Sequence, residues 1–314
     1  MSGISNKSIG HTRKSHWKTF MKNKELLLLT VPALLFFFAF RYMPMPGVWM
    51  AFTNYRHVDG IFGSQFVGLQ WFRLFFQGDL VRITRNTVLY SISFIILGVV
   101  TGVFTAVMMN AVRSKFATKT YQTIMILPHF MSWVVVALLL YIFLDPVHGV
   151  INRMLVGFGF EPVWWYARSE YWPFMLTFMN IWKNVGMGSL IYYAALMGID
   201  PTLYESAAMD GAGKIAKFRY ITFPGLVPVI TILTLLELGG LFRGDFGLFF
   251  AVPRDVGALY PTTDIMDTYI FRGLRMGLLS LSAAAGLYQS IVGFMAVVSV
   301  NFVVKKINPD NALF

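Results

Sequence analysis

Residues able to make or break bonds are sparse in this chain. Cys is absent from all 314 residues, which removes thiolate nucleophiles, Cys-based zinc and iron–sulfur sites, and disulfides together. The five His stand at 11, 16, 57, 129 and 148 with no metal-binding spacing, and no Gly-x-Ser-x-Gly elbow occurs. Gly211-Ala212-Gly213-Lys214 has the outline of a phosphate loop, but Ala208 stands where its first Gly belongs and Ile215 replaces Ser or Thr. ATP hydrolysis by the chain itself is therefore not expected. The other chemistry on offer is charge placed inside apolar runs: Arg41, Lys183, Glu237 and Arg243. Lys183 and Glu237 have opposite signs and both fall mid-run by counting, which suggests an intramembrane ion pair, either structural or in a substrate path.

The most informative stretch is Gly198 to Pro224, GIDPTLYESAAMDGAGKIAKFRYITFP. Asp200 can cap a helix with Pro201 at its first position, Thr202 and Glu205 have capping-box spacing, and Gly211 can end the helix. Leu203, Ala207 and Ala208 then share one side, and the small Ala residues permit close approach to a partner surface. Phe218 and Ile221 begin a second helix leading to Pro224.

The elements around that loop follow from composition. The chain is 56% hydrophobic and only 13% charged, far from the balance of a soluble domain. A net charge of +11 would suit nucleic acid, yet Lys and Arg fall in short pieces between apolar runs, so membrane topology accounts for it and no nucleic acid is expected. Six runs reach the roughly 20 residues a spanning helix needs: 26–52, 87–110, 121–144, 172–197, 221–242 and 281–304. An all-α membrane protein with six transmembrane helices is the predicted fold class. Residues 1–25 form a polar tail, 26–304 the transmembrane domain with a loop at 198–220, and 305–314 a second tail. The first run is too long for a signal peptide and lacks a small-residue cleavage site, so it reads as a retained anchor.

Orientation follows from the basic residues. Lys7, Arg13, Lys14, Lys18, Lys22, Lys24, Arg113, Lys115, Lys119, Lys214, Lys217, Arg219, Lys305 and Lys306 fall on one side. The opposite side carries Arg at less than half that density, which predicts both termini in the cytoplasm. An Asn6-Lys7-Ser8 sequon in the cytoplasmic tail is discounted. Trp49, Tyr55, Trp71, Trp164, Trp165 and Trp172 gather at the opposite ends, as amphipathic rings do at the headgroup level.

Glu205, Ala207, Asp210, Gly211, Ala212, Phe218, Ile221 and Pro224 match, at the right spacing, the EAA loop of membrane subunits of binding-protein-dependent ABC importers. Ser206 replaces the usual first Ala after Glu, and Phe223 the usual Leu before Pro. The resemblance extends through Phe40-Arg41-Tyr42-Met43-Pro44, Val67-Gly68-Leu69, Arg85-Asn86-Thr87, Leu127-Pro128-His129-Phe130 and Ser132-Trp133, which look like the carbohydrate branch. Within that branch the sequence is most similar to permeases for complex oligosaccharides and polysaccharide fragments.

This resemblance implies a type I ABC importer permease fold in a bacterial cytoplasmic membrane. It also implies a second, non-identical permease, two ATPase subunits carrying ATP and Mg, an extracytoplasmic binding protein and a saccharide substrate, with no cofactor in this chain. It makes 198–220 the coupling loop, with Glu205 available for a salt bridge to an ATPase and Asp210 and Gly211 holding the turn behind the helix.

Sugar recognition asks for aromatic faces and amide or hydroxyl groups, offered by Trp133, Asn180, Trp182, Asn184, Tyr192 and Tyr193. Packing or a subunit interface is the default reading of each, because aromatics are common in this chain and one sequence does not reveal which face of a helix points inward. Gly186, Gly188 and Ser189, and the run Ala283 to Gly286, are expected to pack against the partner permease. The segment 244–280 is placed to meet the binding protein. The alternative function is an ion-coupled secondary carrier, which would use the intramembrane charges.

Overall fold

The computed structural model describes residues 24–307. Nearly all of the basic first tail, with His11 and His16, and the last seven residues lie outside the described residues.

Helix α1, Lys24–Phe37, continues through a π-helical turn, Phe38–Tyr42, into a 3₁₀ segment, Met45–Phe52. Pro44 and Pro46 explain the change of winding, since neither supplies an N–H to an α-helical ladder. A two-stranded antiparallel ribbon, Thr53–Asn54 with Gln65–Phe66, leads to the short amphipathic helix α2, Gln70–Gln77. Then come α3 (Leu80–Asn110), α4 (Lys115–Ile126), α5 (Trp133–Leu144), α6 (Val150–Gly157), α7 (Trp172–Met197) and α8 (Pro201–Met209). Helix α9 runs Lys214–Leu238 with a π-helical turn at Phe218–Thr222, so it begins before Phe218. It is followed by α10 (Phe246–Ala251), α11 (Met266–Arg275) and α12 (Leu279–Ile307).

Among the described residues, four helical stretches are long and apolar enough to cross a membrane: Leu28–Phe52, Leu80–Asn110, Lys214–Leu238 and Leu279–Lys306. The third expected span is not a straight helix. It is the pair Lys115–Phe130 and Trp133–Leu144, bent by 97° at a break, and it makes a fifth crossing if the pair counts as one. The fourth expected span is α7, 26 residues long, whose apolar character is diluted by Asn180, Lys183 and Asn184. Six continuous apolar crossings are thus more than the described residues present.

Helices α3 and α7 pack along their lengths and α9 joins them. Val103 and Ala106 of α3, Tyr192 and Leu196 of α7 and Leu226 of α9 form one core cluster. A second cluster sets Tyr90, Trp172 and Leu176 against Phe249 and Ile265, and a third sets Phe75 and Ile83 against Met266 and Ala285. Large apolar side chains elsewhere are exposed along α1, α3, α5 and α12, as lipid-facing surfaces require.

Of the small residues expected at a subunit contact, Gly186, Ser189, Ala284 and Ala285 pack within the chain, while Gly188 stands open on the wall of a cavity. Ser189 is buried and donates to the Gly186 carbonyl, and a Cβ on Gly186 would run into the Met125 carbonyl of α4. Ala284 and Ala285 are wholly buried. Gly186→Ala is therefore expected to cost about 1–3 kcal/mol through overpacking against backbone. Unfolding of the purified subunit by SDS titration measures it; a midpoint equal to wild type would refute the close contact.

The segment between α9 and α12 is pinned by buried charge. Asp264, with a side chain 0% exposed, receives Arg272 at 2.6 Å and Arg82 at 3.2 Å, and Thr268 donates to its other oxygen at 2.9 Å. Arg272 also reaches Asp255 at 3.1 Å and lies 3.8 Å from the centre of the Tyr260 ring. Burial pushes the Asp264 carboxyl up, while Arg272 and Arg82 pull it back down. This cluster ties the 255–272 segment to the start of α3.

Candidate functional site

Helix α8 is built by local chemistry. Asp200 is the N-cap: its carboxylate accepts the Thr202 N–H at 2.9 Å, and that backbone bond holds the Asp200 carboxyl below the usual carboxylate range. The expected Thr202–Glu205 capping box does not form, because Asp200 occupies the cap and leaves Thr202 already inside the helix; Ser206 instead donates to the Thr202 carbonyl at 2.9 Å. At the far end the Gly211 N–H donates to Ala208 and the Ala212 N–H to Ala207, the paired bonds of a Schellman motif, with Gly211 at φ +77°. Gly is suited to that left-handed position because it carries no Cβ.

The chain then re-enters α9, and two contacts fix α8 to it. Tyr204 Oη and Thr222 Oγ1 are 3.0 Å apart, and a Cβ on Gly225 would sit 2.6 Å from Ile199 Cδ1, so the lead-in to α8 lies flat on α9. The Phe218 and Phe223 rings stand 6.2 Å apart across the π-helical turn, beside Pro224. Tyr204 and Ala207 are half-buried on this side. Glu205, Ala208, Met209 and Asp210 are exposed; Leu203 lies one helical turn from Ala207 and shares its side as expected, though it too is exposed, whereas Ala208 stands round the helix from Leu203. The result is a stiff, capped rod, seated at one edge and presenting the Glu205 carboxylate and exposed Met209 on the other.

A cavity of about 630 Å³ lies between α3, α7 and α9. Of the sugar-recognition candidates, Asn180, Asn184 and Tyr192 line it. Trp133, Trp182 and Tyr193 do not: Trp133 donates to Asp245 at 2.7 Å from behind, Trp182 is exposed, and Tyr193 packs against the inner core cluster. Residue type alone misses the wall from α3, although the sequence carries a signal for it. Thr87, Ser91, Phe94, Gly98 and Thr101 recur every three to four residues and all face the cavity. Arg243, Asp245 and Phe249 complete the wall.

Lys183 and Glu237 do not form the expected ion pair. Glu237 is exposed on the cavity wall, while Lys183 is buried and donates to the carbonyl oxygens of His129 at 2.6 Å and Pro128 at 3.4 Å. Counting along a helix gives depth but not the side it faces, and these two residues face different neighbours.

Apolar helices, a cavity among them whose wall carries a few polar side chains, and a capped helix outside the apolar run together define a multi-pass membrane permease. Residues 98–309 match the family described as the binding-protein-dependent transport system inner membrane component, and the chain belongs to that family. It is 35% identical over 297 residues to the polygalacturonan/rhamnogalacturonan transport system permease protein YteP of Bacillus subtilis, covering 92% of this chain and 90% of that one. A crystal structure of a bacterial ABC transporter involved in import of the acidic polysaccharide alginate has a chain with TM-score 0.84 and 33% identity, covering 93% of this chain and 99% of that chain. A structure of a bacterial alginate ABC transporter with an alginate pentasaccharide-bound periplasmic protein aligns at TM-score 0.83 and 34% identity, covering 93% and 98%. The chain therefore has the ABC importer permease fold.

Proposed function

We propose that this chain is the membrane-spanning permease subunit of an ATP-driven importer that carries an oligosaccharide or polysaccharide fragment. The observation that carries this reading is α8: a doubly capped helix, locked to α9 through Tyr204 and Thr222, with Glu205, Leu203 and Met209 exposed. A capped rod transmits a push from an ATPase without bending, and Glu205 supplies a carboxylate for a basic group in the receiving cleft. ATP and Mg belong to two separate ATPase subunits. A second, non-identical permease closes the cavity from its open side, and an extracytoplasmic binding protein delivers the sugar to the 244–280 face. Both termini lie in the cytoplasm of a bacterial cell.

Co-expression with neighbouring permease and ATPase genes tests the assembly: a stable complex with two ATPase copies is expected, and isolation of this chain active alone would overturn it. A secondary carrier would need a titrating group in the path, and Glu237 on the cavity wall is the exposed carboxylate there. Under our reading, Glu237→Gln retains uptake across the pH range where the complex is stable. Uptake that loses its pH dependence or its proton coupling in this variant would favour the carrier.

A further inference from the structure

The break in the third span leaves the His129 carbonyl without a backbone partner among the described residues, while the Pro128 carbonyl accepts the Met131 N–H of the 3₁₀ turn at 3.1 Å. Helix α4 gives way to a 3₁₀ turn, Leu127–Phe130, and α5 restarts at Trp133 after an N-cap in which Ser132 accepts the Val135 N–H at 3.3 Å. Away from water, such carbonyls must be satisfied by the protein. The Lys183 ammonium does this for His129 at 2.6 Å and shares the Pro128 carbonyl at 3.4 Å, and a cation there also meets the negative end of the α4 dipole. Its Nζ stands 5.2 Å from the centre of the Trp133 ring, so it touches the last carbonyls of one half and the first side chain of the other.

Both halves are connected to the cavity. His129 Nδ1 is 3.2 Å from Asn184 Oδ1, and Asn184 lines the cavity from α7. Trp133 donates to Asp245, which lines the cavity and caps α10 through the Leu248 N–H. Helix α7 then runs on as one rod from Lys183 to Met197, three residues before the Asp200 cap of α8.

We infer that Lys183 is a positioning residue for transport: it clamps the broken third span as a joint, so that the angle between α4 and α5 changes as the cavity switches its open side, with α7 carrying that change to α8. The inference rests on the proposed importer function. A bend held by side-chain hydrogen bonds and an ammonium, instead of by continuous helix, is the kind of element that has two arrangements. A static brace would keep one angle throughout the cycle.

The natural absence of Cys makes the test direct. Spin labels at Ile124→Cys and Leu138→Cys, both exposed positions on the two halves, report the angle in the full complex by double electron–electron resonance. With the saccharide-loaded binding protein stimulating ATP hydrolysis, the inter-label distance is expected to differ between nucleotide-free and vanadate-trapped states. Lys183→Met is expected to broaden the distribution in both states and to lower the stimulation ratio about ten-fold, with Lys183→Arg restoring most of it. Identical distances in the two states of a stimulated wild-type complex overturn the joint while leaving the importer reading intact, and this arm needs no Lys183 variant to fold. Full stimulation in an assembled Lys183→Met complex also overturns it. Absence of stimulation in the assembled wild-type complex by any saccharide overturns the importer reading and the joint with it.

Discussion

Gly211→Pro is expected to abolish stimulation of ATP hydrolysis by the loaded binding protein. Proline fixes φ near −65°, whereas Gly211 sits at +77°, and it removes the N–H that donates to Ala208. The turn loses its paired bonds, the end of α8 frays, and the local cost is about 3 kcal/mol or more. A frayed helix absorbs the push it should transmit. Gly211→Ala supplies an internal comparison: a Cβ at this position would meet no neighbouring atom within 4 Å, so its penalty comes from backbone conformation alone, about 1–2 kcal/mol. Stimulation measured in proteoliposomes should therefore rank wild type, then Ala, then Pro. Equal stimulation in all three would mean that the geometry of this turn does not matter to coupling.

Asp264→Ala should be the most damaging single change to the segment between α9 and α12. It leaves Arg272, whose side chain is 13% exposed, with Asp255 alone, and Arg82 with Asp79 at 2.9 Å. Removing one member of a buried charge cluster costs about 3–5 kcal/mol, mainly because the remaining charge is left without a partner. The Thr268 hydroxyl loses one acceptor and keeps the Ile265 carbonyl at 3.0 Å, and Asn86, which donates to the Asp264 carbonyl at 3.0 Å, stays bonded because that group is backbone. Asp264→Asn keeps the shape and a hydrogen-bond acceptor and should cost less. Midpoints from SDS titration of the two variants decide the point; a midpoint for Asp264→Ala within error of wild type would show that the cluster contributes no net stability.

Much of α8 and its loop is legible in the sequence because its determinants are local. Asp200, Pro201 and Gly211 fix the ends of α8 through bonds within a few residues, so spacing alone predicts them. The capping box expected at Thr202 and Glu205 fails because two residues of the right type lie just inside a helix that Asp200 has already capped.

The cavity is only half legible. Residue type points to Asn180, Asn184 and Tyr192, but Trp133, Trp182 and Tyr193 have the same chemistry and face elsewhere. Lys183 and Glu237 share a depth and not a direction. Gly186 and Ser189 have the composition of a subunit contact, although they let α4 pass close to α7. The break in the third span does have signals: Pro128 supplies no N–H to continue the α-helical ladder, and Ser132 is a preferred N-cap residue just before an apolar run. An unbroken count of apolar residues hides both.

The central claim is that movement of the ATPases reaches the sugar path through α8. ATP-dependent uptake of labelled oligosaccharide into proteoliposomes, with ATP hydrolysis recorded on the same preparation, tests it most directly when wild type is compared with Glu205→Ala, Gly211→Pro. The account predicts that the double variant assembles, hydrolyses ATP at its basal rate and takes up no sugar. Uptake by that variant at the wild-type ratio of sugar to ATP would contradict it.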